Sequence, residues 1–140
     1  MNSLKFSKNI LSQTRNLSSN SLFYKLAKFS FSSEKSSNII EIKSAEEFES
    51  LVSKSSDSLV VDFYADWCGP CRMLTPLLEQ KLKTIENAKL VKVNVDVNGD
   101  LAEKFNVAGI PHVILFKNGV KSVEFSGFNE KKLDEMLKLI

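Results

Sequence analysis

Cysteine is scarce in this chain, with two among 140 residues, and histidine is scarcer still, with one. That shortage bears on metal binding. A zinc centre within one chain takes four ligands, commonly two cysteine pairs or one pair with two histidines. Cys68, Cys71 and the distant His112 do not make such a set, so only a site shared between two chains stays open. Long hydrophobic runs are also missing. None approaches the ~20 residues of a spanning helix, and no integral membrane segment is expected.

Acidic residues are absent from the first 33 positions, which carry five basic residues and nine serines. Proline and glycine are absent there too, so nothing forbids a helix. At 100° per residue, Lys5, Lys8 and Arg15 share one side and Phe6, Ile10 and Leu17 the other. Lysines interrupt every apolar stretch that could serve as the ~7–15-residue centre of a secretory signal. A basic, serine-rich, acid-free amphipathic segment has the composition of an organellar transit peptide, and residues 1–37 are assigned to one. The mitochondrial matrix is favoured over a plastid; with no address in this segment, the protein would stay in the cytoplasm. "RNLSS" (Arg15 to Ser19) and "FSFSS" (Phe29 to Ser33) are the candidate cleavage contexts.

The basic head disguises an acidic body. Six of the 19 basic residues but one of the 17 acids lie up to Lys35, so the remainder is net negative. Such a body has no basic footprint for nucleic acid. Its length suits one domain with a core, placed at residues 38–140.

From Asn38 the pattern becomes regular. "NIIEI" reads as a short strand. Ser44 and Glu47 form a capping box ahead of the apolar positions Phe48, Leu51 and Val52. "SLVVDFYA" (Ser58 to Ala65) is a nearly continuous apolar run, the mark of a strand covered on both faces. A helix then opens at the cysteines and runs to about Asn87, burying Leu74, Leu77, Leu78, Leu82 and Ile85, with a kink expected at Pro76. "KLVKVNVDV" (Lys89 to Val97) alternates as a strand does. A short helix capped by Asp100 follows, then two strands joined at Asn118-Gly119, a strong hairpin signal. A last helix starts at Asn129 and carries Leu133, Met136, Leu137 and Ile140. The order β-α-β-α-β-α-β-β-α implies parallel pairing across the helices, an antiparallel closing hairpin, and a mixed central sheet of about five strands flanked by about four helices.

The spacing of the cysteines in "ADWCGPCRML" (Ala65 to Leu74) favours reversible redox chemistry. A structural staple closing over two residues would constrain the unfolded chain little. On a helix, positions i and i+3 lie ~5 Å apart at Cα, inside the ~4.4–6.8 Å that a disulfide tolerates. The pair can therefore open and close with little backbone movement. Gly69 admits an approaching chain, and Pro70 fits a first helical turn without losing a bond. Cys68 falls at the helix start, where free N–H groups and the helix dipole favour a thiolate, so it is the attacking thiol. Cys71, expected deeper, is the resolving one.

"WCGPC" following "VVDFYAD" resembles the thioredoxin family, and the likeness extends from about Ile39 to Ile140. The resemblance implies the α/β thioredoxin fold and a protein-disulfide reductase acting on disulfide-containing client proteins. It further implies recharging by an NADPH-dependent thioredoxin reductase, and no bound cofactor. Trp67 matches the family's tryptophan covering the reactive thiol. Asp62 matches its buried acid beneath the disulfide. A carboxylate inside "LVVDFY" is odd in its own right, and burial would raise its pKa and suit it to take the Cys71 proton. The plainer alternative is a strand-end side chain pointing at water. Lys92 matches the lysine near that acid; otherwise it reads as a solvated strand residue. Pro111 matches the cis-proline facing the disulfide, with the Ile110 backbone pairing with a bound client strand and Gly109 and Gly127 bordering that groove.

His112 departs from the family pattern, which places a small or apolar residue after the proline. It reads either as a polar residue on a partly exposed strand face or as a group tuning the redox pair or partner choice near neutral pH. Two other functions stay in view: an oxidase or isomerase on the same fold, and a non-catalytic partner or holdase module. Gly-Pro between the cysteines, together with retention of both thiols and of Pro111, speaks for the reductase.

Overall fold

The computed structural model describes residues 38–140, so the assignment of residues 1–37 lies outside the described part. The chain runs through β1 (Ile39–Glu41), α1 (Ala45–Lys54), β2 (Ser58–Tyr64), α2 (Gly69–Leu82), β3 (Ala88–Asn94), α3 (Gly99–Lys104), β4 (His112–Lys117), β5 (Val120–Ser126) and α4 (Glu130–Leu137). The element order matches the expectation. The five strands lie in the order β1-β3-β2-β4-β5, with β1, β3 and β2 parallel and β4 and β5 antiparallel to their neighbours.

Central placement of β2 explains its unbroken apolar run, because helices cover both of its faces. Val60 packs with Leu74, Leu78 and Leu82 of α2 and with Leu133 and Met136 of α4. Leu59, Val61 and Phe63 point the other way, toward Phe48 of α1 and Leu101 of α3. Leu74, Leu78 and Leu82 recur every fourth residue and present one buried stripe. Fully burying each such leucine stabilises the fold by about 1.5–3 kcal/mol.

Helix ends follow the capping chemistry with three departures. Ser44 Oγ accepts from the Glu47 N–H, but Glu47 reaches back to the N–H of Lys43 at 2.9 Å rather than to that of Ser44. Second, α2 stops at Leu82, short of Asn87. There the Thr84 hydroxyl donates to the Lys81 carbonyl at 2.9 Å, competing with the helix, and Ile85 closes a turn onto Leu82. Third, Asp100 lies inside the first turn of α3, and the cap position belongs to Asn98, which makes no side-chain cap bond. The buried Asn98 amide donates instead to the carbonyls of Ile42 and Asn94. Strand β3 likewise ends at Asn94, because its side chain accepts from the Asp96 N–H and starts a turn.

Between β4 and β5, Asn118 (φ 51°) and Gly119 (φ 76°) make the tight two-residue turn that their sequence signals. A Cβ at Gly119 would also stand 3.3 Å from the Val52 carbonyl oxygen. Gly119→Ala is therefore expected to cost about 1–3 kcal/mol in urea unfolding, through backbone strain and that contact.

Candidate active site

Where β2 ends, Ala65–Trp67 lead directly into α2. Cys68 caps this helix, its Sγ accepting from the Cys71 N–H at 3.3 Å, with Pro70 in the first turn. The two cysteines form a closed disulfide with Cα atoms 5.3 Å apart, near the spacing a helical turn imposes. Both are buried, Cys68 at 4% and Cys71 at 2% exposure, so in the closed form the contrast between an outer and a deeper thiol is small. They pack with Ala65 and against Tyr64, Val95 and Ile110.

Asp62 lies two residues before the end of β2 and is fully buried on the α2 side of the sheet. The alternative of a strand-end carboxylate in water does not hold. Thr75 donates to its Oδ2 at 2.6 Å, while Oδ1 has no hydrogen-bond partner. Burial pushes its pKa up from 3.8 to about 6, against the opposing pull of the Thr75 hydrogen bond and the Lys92 charge. Lys92 stands opposite Asp62 in the β2–β3 register, but its ion-pair partner is Glu79, at 3.6 Å. Its ammonium also lies 5.1 Å from the centre of the Tyr64 ring. An open cleft of about 350 Å³ is lined by Tyr64, Cys71, Thr75, Glu79 and Lys92 among others.

Around the disulfide the surface is apolar and open. Trp67 is 67% exposed, its indole N–H fixed on Asp96 Oδ2 at 3.0 Å. The Ile110-Pro111 bond is cis, and Ile110 packs against the cysteines. Gly127, at φ 80°, donates its N–H to the Pro111 carbonyl at 2.7 Å. Met73 and Phe128 are exposed apolar side chains, and a Cβ at Gly69 or Gly109 would meet nothing within 4 Å.

His112 is not on an exposed face. It is buried beside Phe63, with Nδ1 2.6 Å from Ser126 Oγ and Nε2 3.0 Å from Glu124 Oε2. Side chains alternate along β4, so Val113 shares the Asp62 face and His112 takes the opposite one. Glu124 is held below its ordinary pKa, chiefly by Lys121 and then by His112. His112 thus ties β4 to the edge strand β5. His112→Ala is expected to lower stability by about 2–4 kcal/mol in denaturant unfolding, by opening a cavity and stripping two polar partners. The Cys68 thiolate titration curve is expected to coincide with wild type, since both ring nitrogens of His112 are engaged by β5.

Thr75, Glu79 and Asp96 escaped the sequence reading. Thr75 had a usable signal, a polar residue inside the buried stripe Cys71, Leu74, Leu78. Asp96 had none, because its partner Trp67 is brought close only by the packing of separate loops.

Comparison with known proteins bears on this geometry. The sequence profile of the Thioredoxin family matches residues 39–139. The chain belongs to the thioredoxin family. It is similar to the probable thioredoxin-2 of Caenorhabditis elegans, 40% identical over 103 residues that make up 72% of this chain and 71% of that one. Thioredoxin-1 of Saccharomyces cerevisiae is 36% identical over 99 residues, covering 71% of this chain and 95% of the yeast protein. Among solved structures, oxidised mitochondrial thioredoxin 3 from Saccharomyces cerevisiae superposes with a TM-score of 0.68 at 33% identity, covering 73% and 95% of the two chains. As a thioredoxin, the protein is a thiol-disulfide oxidoreductase that reduces protein disulfides through the Cys68–Cys71 pair. Among the described residues no helix is long and apolar enough to cross a membrane.

Proposed function

We propose that the two cysteines divide the labour of reduction, with Asp62 as their base and an NADPH-dependent thioredoxin reductase as their electron source. The Cys68 thiolate attacks one sulfur of a client disulfide. That bond breaks, the first client thiolate leaves and takes a proton, and a mixed disulfide forms. Cys71 then gives its proton to the Asp62 carboxylate and attacks Cys68 Sγ. The Cys68–Cys71 bond closes, the second client thiolate departs, and two electrons have passed to the client. The reductase returns two electrons and reopens the pair.

One observation carries this reading: a closed Cys68–Cys71 disulfide on the first turn of α2, with an unpaired, buried carboxylate oxygen on Asp62 at the same end of β2. Ile110 and cis-Pro111 beside the disulfide suit a client lying extended along the groove, its backbone pairing with that of Ile110. Trp67, Gly69, Pro70, Gly109 and Gly127 are its borders, and Lys92 steadies the charge near Asp62. An insulin-reduction assay with dithiothreitol tests the reading. Turbidity should rise well ahead of the reagent alone, and equal rates would overturn it. A measured reduction potential separates a reductase from an oxidase or isomerase.

Residues 1–37 are read as a transit peptide directing residues 38–140 to the mitochondrial matrix. Support comes from the acid-free basic composition and from the likeness to a yeast mitochondrial thioredoxin. A fluorescent fusion of Met1–Ser37 should accumulate in mitochondria; a diffuse signal would remove the assignment.

A further inference from the structure

Thr75 sits four residues after Cys71 on α2, so the two side chains share one helix face. Helical side chains lean back toward the preceding turn, which here is the turn that carries Cys71. Both residues line the same open cleft, together with Tyr64, Glu79 and Lys92. The Thr75 hydroxyl has one hydrogen, and that hydrogen is committed: it is donated to Asp62 Oδ2 at 2.6 Å. Its oxygen lone pairs can still accept a hydrogen bond. A hydroxyl held in this way donates to the base while keeping the capacity to accept a proton from a thiol that shares its cleft.

We propose that Thr75 is a positioning and relay residue through which Cys71 passes its proton to Asp62. The inference rests on the reading of Asp62 as the base for the resolving thiol. In the step, the Cys71 S–H bond breaks and its proton goes to Thr75 Oγ1. The hydrogen already on Thr75 moves to Asp62 Oδ2. The products are a Cys71 thiolate, an intact threonine hydroxyl and a neutral Asp62, with charge and atoms conserved. The thiolate then attacks Cys68 Sγ in the mixed disulfide.

Two features favour Thr75 over a passive packing role. The apolar alternative at this place in the stripe would leave Asp62 with neither oxygen hydrogen-bonded, since Oδ1 already has no partner. A buried carboxylate that loses its donor holds its proton more tightly. Second, the charged groups around Asp62 are poorly placed to substitute. Lys92 across on β3 is paired with Glu79 of α2, and the Tyr64 hydroxyl donates to Glu41. On β4 the facing residue is the apolar Val113. The Thr75 hydrogen bond opposes the rise of the Asp62 pKa, so its removal should raise that pKa further.

The test is single-turnover reduction of a disulfide-bonded peptide, followed by Trp67 fluorescence across the pH range, in wild type, Thr75→Val, Thr75→Ser and Asp62→Asn. Iodoacetamide alkylation of reduced Cys68, run in parallel, reads the attacking thiol alone. Thr75→Val should slow release of the client from the mixed disulfide by about tenfold or more and shift the acid limb of the profile upward, with alkylation of Cys68 unchanged. Thr75→Ser, which keeps the hydroxyl, should return the rate to within about threefold of wild type. The double variant Thr75→Val, Asp62→Asn should be no slower than Asp62→Asn alone, because both act on one proton path. A Thr75→Val protein with the wild-type rate and profile would overturn the relay, as would a Thr75→Ser protein as slow as the valine variant. In either case a slow Asp62→Asn protein keeps Asp62 as the base, whereas a wild-type rate there removes that reading as well.

Discussion

Cys68→Ser is expected to lose disulfide reduction altogether, by more than about a thousandfold, while Cys71→Ser captures clients and fails to let them go. The asymmetry follows from position. Cys68 caps α2, where unpaired N–H groups and the helix dipole stabilise a negative sulfur. A serine hydroxyl in its place ionises far too weakly to attack a disulfide. In the proposed division of labour Cys71 takes part only after the mixed disulfide exists, so its loss should leave attack intact and block release. Non-reducing electrophoresis after incubation with a disulfide-bonded client reads the difference as a covalent adduct, formed by Cys71→Ser and absent from Cys68→Ser. Equal, partial losses of activity in both variants, with no adduct, would refute the division of labour.

Asp62→Asn should make the oxidised protein more stable at alkaline pH and less active at the same time. In the unfolded chain the carboxyl has its ordinary pKa of 3.8; in the fold it is raised to about 6. The native state therefore holds its proton more tightly than the unfolded state does. Below 3.8 both states are protonated and the group has no effect on stability. As pH rises through this window to about 6, the native protein is destabilised, by about 3 kcal/mol once the buried carboxylate is fully ionised. Asparagine removes that charge but brings an amide to the position of an oxygen with no partner, which costs about 1–3 kcal/mol. The net gain should be up to about 2 kcal/mol above neutrality, vanishing or reversing under acid conditions. Urea unfolding of the oxidised protein at the two extremes of pH reads this. A wild-type/variant difference independent of pH would sink the assignment of the raised pKa. On the role proposed for Asp62 as the base for Cys71, release of client in the same variant should slow by about a hundredfold.

Much of this was legible because its causes are local. The apolar run of β2, the alternation of β3, the caps at Ser44 and Asn129 and the Asn118-Gly119 turn each depend on residues within a few positions of one another. Cys68 and Cys71 belong to the same class, since three helical steps set their separation whatever the rest of the chain does. Where local rules compete, two elements end earlier than their sequence patterns indicate. The Thr84 hydroxyl and the Asn94 side chain each offered the backbone another partner and ended an element early.

By itself, the sequence determined the kind and order of the elements and the redox pair, because backbone sterics and short spacing act without reference to distant residues. Tertiary structure alone decided that Asp62 meets Thr75, that Trp67 meets Asp96, and that His112 meets Ser126 to clamp β5. Those contacts join residues 13, 29 and 14 positions apart. They exist only once strand order and register are set, because a slip of one residue would turn each strand side chain to the other face of the sheet.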